Sequence, residues 1–122
     1  MKDNQLITLS KIFAVDIVNT CNEIREQRKG NALVNQLLKS GTSIGANIHE
    51  ANYASSRNDF ICKLQISLKE CYETEYWLDL FKETNMISVM NFNRLISQCY
   101  KIRRILSASI RTAKHNSPVA QE

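Results

Sequence analysis

Glu70 and Glu73 lie three residues apart, a spacing that puts both carboxylates on one helix face with Ile66 and Trp77. Such a pair could serve as acid and base, or hold a divalent cation through oxygen. The structural alternative is a polar network. Carboxylates on a partly apolar face need partners, and Ser43, Asn47 and Glu50 share a comparable face one segment earlier. Lys63, Lys69 and Arg57 are candidate counter-ions, although sequence cannot pair them. The network reading is preferred: these residues set helix register or a subunit contact. His49-Glu50 opens like a zinc-protease helix, but Tyr53 stands where the second histidine belongs. A di-iron bundle needs Glu-x-x-His on each of two helices, and the residues three before His49 and His115 are Ala46 and Thr112. Cys21, Cys62, Cys71 and Cys99 are separated by 41, 9 and 28 positions, which fits neither a zinc knuckle nor a redox pair. Each sits in an apolar pattern and is expected to be a buried, reduced thiol. No serine or cysteine has a recognisable base nearby. The expectation is a non-enzyme with no cofactor and no metal.

The elements that carry these residues are helical. The chain has 122 residues, 43% of them hydrophobic, with three glycines and one proline. That is one domain, too poor in turn-formers for a sandwich or barrel. Leu6, Leu9, Phe13, Ile17, Cys21 and Ile24 recur at helical steps, and Arg28-Lys29-Gly30 closes the segment. Val34, Leu37, Gly41, Ile44, Ile48 and Ala51 form an unbroken heptad seam. Ser56, three before Asp59, marks the start of a third helix. Phe60, Leu64, Leu68, Cys71, Leu78 and Phe81 line one of its faces. Ile66, Trp77 and Leu80 line another, which predicts extra burial, some of it against a second subunit. Ser88 caps a fourth helix with a seam of Phe92, Leu95, Cys99, Ile102, Leu106, Ser109 and Ala113. The predicted helices span about 4–29, 31–54, 57–84 and 88–114, within a bundle over 1–115 and a polar tail over 116–122. Short connections make neighbours antiparallel. The fold class is therefore all-α, an up-down-up-down four-helix bundle. The N-terminal segment, interrupted by Lys11 and Asp16, is neither a secretion signal nor a membrane span, so a cytoplasmic protein is expected.

Charge is unevenly spread. The net is +4, but residues 1–85 hold 10 basic and 11 acidic side chains, whereas residues 86–122 hold six basic and one acidic. On the fourth helix Arg94, Lys101, Arg104 and Arg111 fall opposite the apolar seam as one basic stripe, which Lys114 and His115 extend. Arg103 lies nearer the seam and is expected to pack or pair. A stripe of this kind is either a solvated face or an electrostatic footprint for a phosphate backbone. Few aromatics accompany it, so the nucleic-acid reading favours structured RNA recognised by shape and charge.

Ser40-Gly41-Thr42-Ser43-Ile44-Gly45-Ala46-Asn47 is the least helix-like stretch. Each glycine inside a helix costs about 1 kcal/mol relative to alanine. The four-residue spacing of Gly41 and Gly45 points to close helix packing. It is no phosphate loop, since no lysine and hydroxyl residue follow Gly45. Residues 37–51, with 59–64 and 68–78, resemble the two signatures of the bacterial ribosomal RNA intervening-sequence proteins, which typically have alanine at the positions of His49 and Cys71. The resemblance implies a four-helix bundle that assembles into a ring-like homopentamer and associates with RNA. It also implies an alternative, since related bundles act as accessory factors for reverse transcriptases. No catalytic residue carries over. Gly41, Thr42, Ser43, Gly45, Asn47, Glu50, Glu70, Glu73 and Trp77 are then packing and assembly residues. Arg94, Lys101, Arg104, Arg111 and Lys114 are the candidate RNA contacts. The expected partners are copies of itself, RNA and a protein partner, with no membrane.

Overall fold

The computed structural model describes residues 4–27 and 32–116. Four helices follow in order: α1 (Asn4–Gln27), α2 (Ala32–Ala51), α3 (Arg57–Glu83) and α4 (Val89–His115). There is no strand among the described residues. Consecutive helices pack on one another and α4 returns beside α1, closing an up-down-up-down bundle in which α1 and α3 lie diagonally. The α1–α4 contact is the sparsest of the four. At 1.5 Å per residue the helices are about 30 to 40 Å long.

Local chemistry sets the ends. The Ser56 hydroxyl accepts from the Asp59 amide at 3.1 Å, and Ser88 does the same for the Asn91 amide. Asp59 reaches back to the Ser55 amide at 3.1 Å, one residue before the cap. Asn85 ends α3 in the left-handed region at φ 58°, with its own amide on the Lys82 carbonyl and the Met86 amide on the Phe81 carbonyl. This is the paired C-terminal closure that usually uses glycine, and asparagine tolerates it better than most residues. α2 stops at Ala51 rather than near 54. The Tyr53 and Ala54 amides bond only three residues back, to Glu50 and Ala51, and this tightening unwinds the helix into a turn. The expected closure of the first helix at 28–30 lies outside the described residues, as does most of the polar tail.

The core follows most of the predicted seams and departs from them at several positions. All six seam residues of α2 are buried, whereas Leu9, Phe60 and Leu68 are only half-buried. On α4 Ile110 is buried in place of Ser109, one position round the helix. Cys62 is exposed, contrary to the expectation of four buried thiols, because it lies on the outer side of α3; Cys21, Cys71 and Cys99 are buried. On α3 the buried line runs Ile61, Leu64, Ser67, Cys71, Thr74, Leu78, Phe81. Ser67 and Thr74 are thus core residues. Ser67 donates to the Ile44 carbonyl at 2.8 Å, Thr74 donates to the Ser40 hydroxyl at 3.0 Å, and Ser40 donates to the Leu37 carbonyl at 3.4 Å. These bonds satisfy groups that would otherwise cost about 1–3 kcal/mol each, and they lock the register of α2 on α3. Within one protomer the second apolar stripe of α3 is not covered: Ile66 is exposed, and Trp77 and Leu80 are half-buried.

Candidate nucleic-acid interface

α4 carries six cations and no acidic residue. Two of the six are neutralised by neighbouring helices. Arg94 forms a two-pronged pair with Asp16 of α1, Nε to Oδ2 and Nη2 to Oδ1, both at 2.8 Å. Gln98 adds a bond to Asp16 Oδ2 at 2.8 Å, and Asn91 accepts from Arg94 at 2.7 Å. The hydrogen bond from Arg94 holds the Asp16 carboxyl below its ordinary value of 3.8, against the opposing effect of burial. Arg103 donates to Glu75 at 2.6 Å, and its guanidinium lies 5.0 Å from the ring centres of both Tyr72 and Tyr100. The pairing expected of Arg103 is present. Arg94, placed in the basic stripe by its position on α4, holds its charge against Asp16.

Lys101, Arg104, Arg111 and Lys114 have no ion-pair partner among the described residues. At 100° per residue the first three fall within about 80° around α4, with Lys114 about 60° further round. Lys101 and Arg104 open onto a groove of about 800 Å³ between the C-terminal half of α4 and the starts of α1 and α3. Arg57 joins them from the first turn of α3. Its guanidinium donates to the Ala113 carbonyl at 3.2 Å, in the last turn of α4. A cation at the start of α3 opposes that helix's dipole, and the carbonyl end of α4 offsets the conflict. The sequence alone offers Arg57 only as a candidate counter-ion. Its relevance was readable in principle, because antiparallel packing puts the residue after the Ser56 cap beside the end of α4. Arg111 and Lys114 are exposed but do not line the groove.

The signature residues separate into three roles. Gly41 and Gly45 both face α1. A methyl group on Gly41 would sit 2.9 Å from the buried Ile17 side chain, and one on Gly45 would sit 3.3 Å from the Ser10 carbonyl oxygen. Thr42 and Asn47 turn their side chains onto their own helix, bonding the Leu38 and Ser43 carbonyls at 2.8 and 2.9 Å. Glu50 pairs with Lys63 at 3.1 Å, so one of the three candidate counter-ions finds its carboxylate. Glu73 accepts from the Trp77 indole at 3.1 Å. Burial, with the neighbouring Glu73 charge, raises the Glu70 carboxyl above its ordinary value of 4.5. Glu73 is exposed on α3, whereas Glu70 is half-buried and feels Lys39 of α2 and Lys69, whose charges act against the upward shift. No group of three metal-ligating side chains exists among the described residues. No helix of the described residues is long and apolar enough to cross a membrane.

The bundle is similar to the crystal structure of a protein of unknown function from the S23 ribosomal protein family of Bacteroides thetaiotaomicron. The two share 44% identity with a TM-score of 0.87, over 91% of this chain and 99% of that one. No curated protein matches the chain. The family model for the 23S rRNA-intervening sequence proteins matches residues 2–108, which takes in the glycine-bearing α2 and most of the cationic α4. On that match, the chain belongs to the 23S rRNA-intervening sequence protein family.

Proposed function

We propose that this protein is a non-enzymatic, cytoplasmic RNA-binding bundle. It holds structured, ribosomal-type RNA by its phosphates along the C-terminal half of α4. The observation that carries this reading is the set of α4 cations with no ion-pair partner among the described residues, with Lys101 and Arg104 joined by Arg57 around a groove that no described carboxylate lines. A cation without a counter-ion keeps its full charge for a phosphate. The family's description as 23S rRNA-intervening sequence proteins supports RNA as the polyanion. The protein works as a homo-oligomeric ring, a pentamer, which repeats the cationic surface and raises avidity for a long polyanion.

The test is binding to a structured ribosomal RNA fragment and to duplex DNA of equal length, titrated across salt. RNA affinity falls steeply with salt, with a log–log slope of about −0.9 per phosphate neutralised. Arg104→Glu with Arg111→Glu abolishes binding and leaves helicity intact. Retained affinity in that double variant would remove α4 from the interface. A second reading, a protein-interaction adaptor, is favoured by the exposed Tyr72, Tyr76 and Tyr100, since tyrosine is enriched at interfaces. For that reading RNA affinity is weak, and a protein partner co-purifies at moderate salt.

A further inference from the structure

A duplex backbone could be held by cations on a convex helix face. The groove beside Lys101 and Arg104 offers more than that. Its volume of about 800 Å³ is far larger than one phosphate needs and lies within the range of small-molecule pockets. Its lining falls into three chemistries. Arg57, Lys101 and Arg104 supply positive charge; Phe60, Ile105 and Ala108 supply an apolar wall with one aromatic ring; Gln5, Thr112 and Asn116 supply polar side chains. Among the described residues no acidic side chain lines it. Phe60 comes from α3, so this ring beside the α4 cations cannot be seen by reading α4 alone. It is half-buried, with part of its surface left open to the groove.

A phosphate, a flat apolar face and a hydrogen-bonding edge occur together in a nucleotide. We infer that the groove receives one unpaired nucleotide splayed out of a bound RNA, its base against Phe60 and Ile105 and its phosphates on Arg57, Lys101 and Arg104. Bases of this kind are available at bulges and loops of structured RNA, and stacking on an aromatic side chain is their usual mode of capture. The neutral amides of Gln5 and Asn116 can both donate to and accept from a base edge. This inference rests on the RNA-binding reading and adds a preference for bulged over continuous duplex RNA.

The test compares two RNA hairpins of the same stem sequence, one with a single-nucleotide bulge and one fully paired, with adenosine monophosphate as a competitor. The bulged hairpin binds about tenfold more tightly at physiological salt. Phe60→Leu keeps an apolar side chain at the α3 position and removes the ring. It lowers affinity for the bulged hairpin about fivefold or more, the low end of what one base–aromatic stack contributes, and leaves affinity for the paired hairpin and the helicity of the bundle unchanged. Equal affinity of the wild-type protein for both hairpins overturns the inference and leaves phosphate binding standing. Loss of affinity for both hairpins in Phe60→Leu also overturns it, because the ring then acts through the fold. Binding of the mononucleotide alone, with neither hairpin bound, overturns both this inference and the RNA reading, in favour of a free-nucleotide site. Absence of any binding overturns both.

Discussion

Asp16 decides how much of the α4 charge is available. Arg94 looks identical to Lys101 and Arg104 on a helical wheel, yet it is the one whose charge is cancelled, because a carboxylate on α1 faces it. Asp16→Ala releases that guanidinium, and the salt slope of RNA binding steepens by about one phosphate contact. Arg94→Ala, in contrast, leaves the slope unchanged; a shallower slope would put Arg94 back in the interface. Either change costs about 1 kcal/mol of stability, in the range of a partly exposed pair with good geometry. The pair also sets a pH dependence. The Asp16 carboxyl is depressed in the folded state, so its contribution is complete above 3.8 and fades as pH falls below that value. The melting-temperature difference between Asp16→Ala and wild type therefore closes in acid and is constant from pH 6 to 8. None of this was legible in the sequence. The wheel gives the direction of each side chain on its own helix, and pairing depends on the neighbour that rotates into place.

At the scale of the helix, the glycines of α2 show how far periodicity reaches. Gly41 sits on the heptad seam, so its burial against a neighbour could be read directly. Which neighbour could not be read, nor that Gly41 meets a side chain while Gly45 meets backbone. Alanine at 41 gains about 1 kcal/mol of helix propensity. It also places a methyl 2.9 Å from the fully buried side chain of Ile17, whose β-branching restricts its rotamers. Overpacking costs about 1–3 kcal/mol and outweighs the gain. Gly41→Ala lowers the unfolding free energy by about 1 kcal/mol, and adding Ile17→Val recovers part of the loss. Denaturant unfolding of the two single variants and the double variant gives a coupling energy of about 0.5 kcal/mol or more. Strict additivity would show that Ile17 is not what resists the methyl group. The polar core positions of α3 were hidden for the opposite reason. Ser67 and Thr74 break the apolar code, and their burial works only because the Ile44 carbonyl and the Ser40 hydroxyl lie opposite.

Taken whole, one protomer leaves apolar side chains uncovered on two diagonal helices, among other places. Ile12, Val15 and Val18 are exposed along α1, and Ile66, Tyr72 and Tyr76 along α3 with Tyr100 beside them on α4. α1 and α3 are diagonal in the bundle, so the surfaces face in different directions. A two-fold dimer buries the same patch from each partner, whereas a ring joins two different patches head to tail. Two patches on different sides are what the proposed homopentamer needs, and they give the half-exposed second stripe of α3 a reason to be apolar. Glutamate at Val15 spoils one patch and glutamate at Tyr76 the other. Both side chains are already in solvent, at 51% and 61% exposure, so each variant folds and light scattering finds it monomeric. Mixing the two variants is the informative step. Each keeps the patch that the other has lost, so one good interface forms between them and the mass rises to a dimer and stops there. If both patches were instead used in two-fold contacts, the mixture would show only what each variant shows alone. RNA binding separates assembly from recognition in the same samples. The monomeric variants retain Lys101, Arg104 and Arg111, so they bind a short hairpin with wild-type affinity and lose only the added avidity for a long RNA.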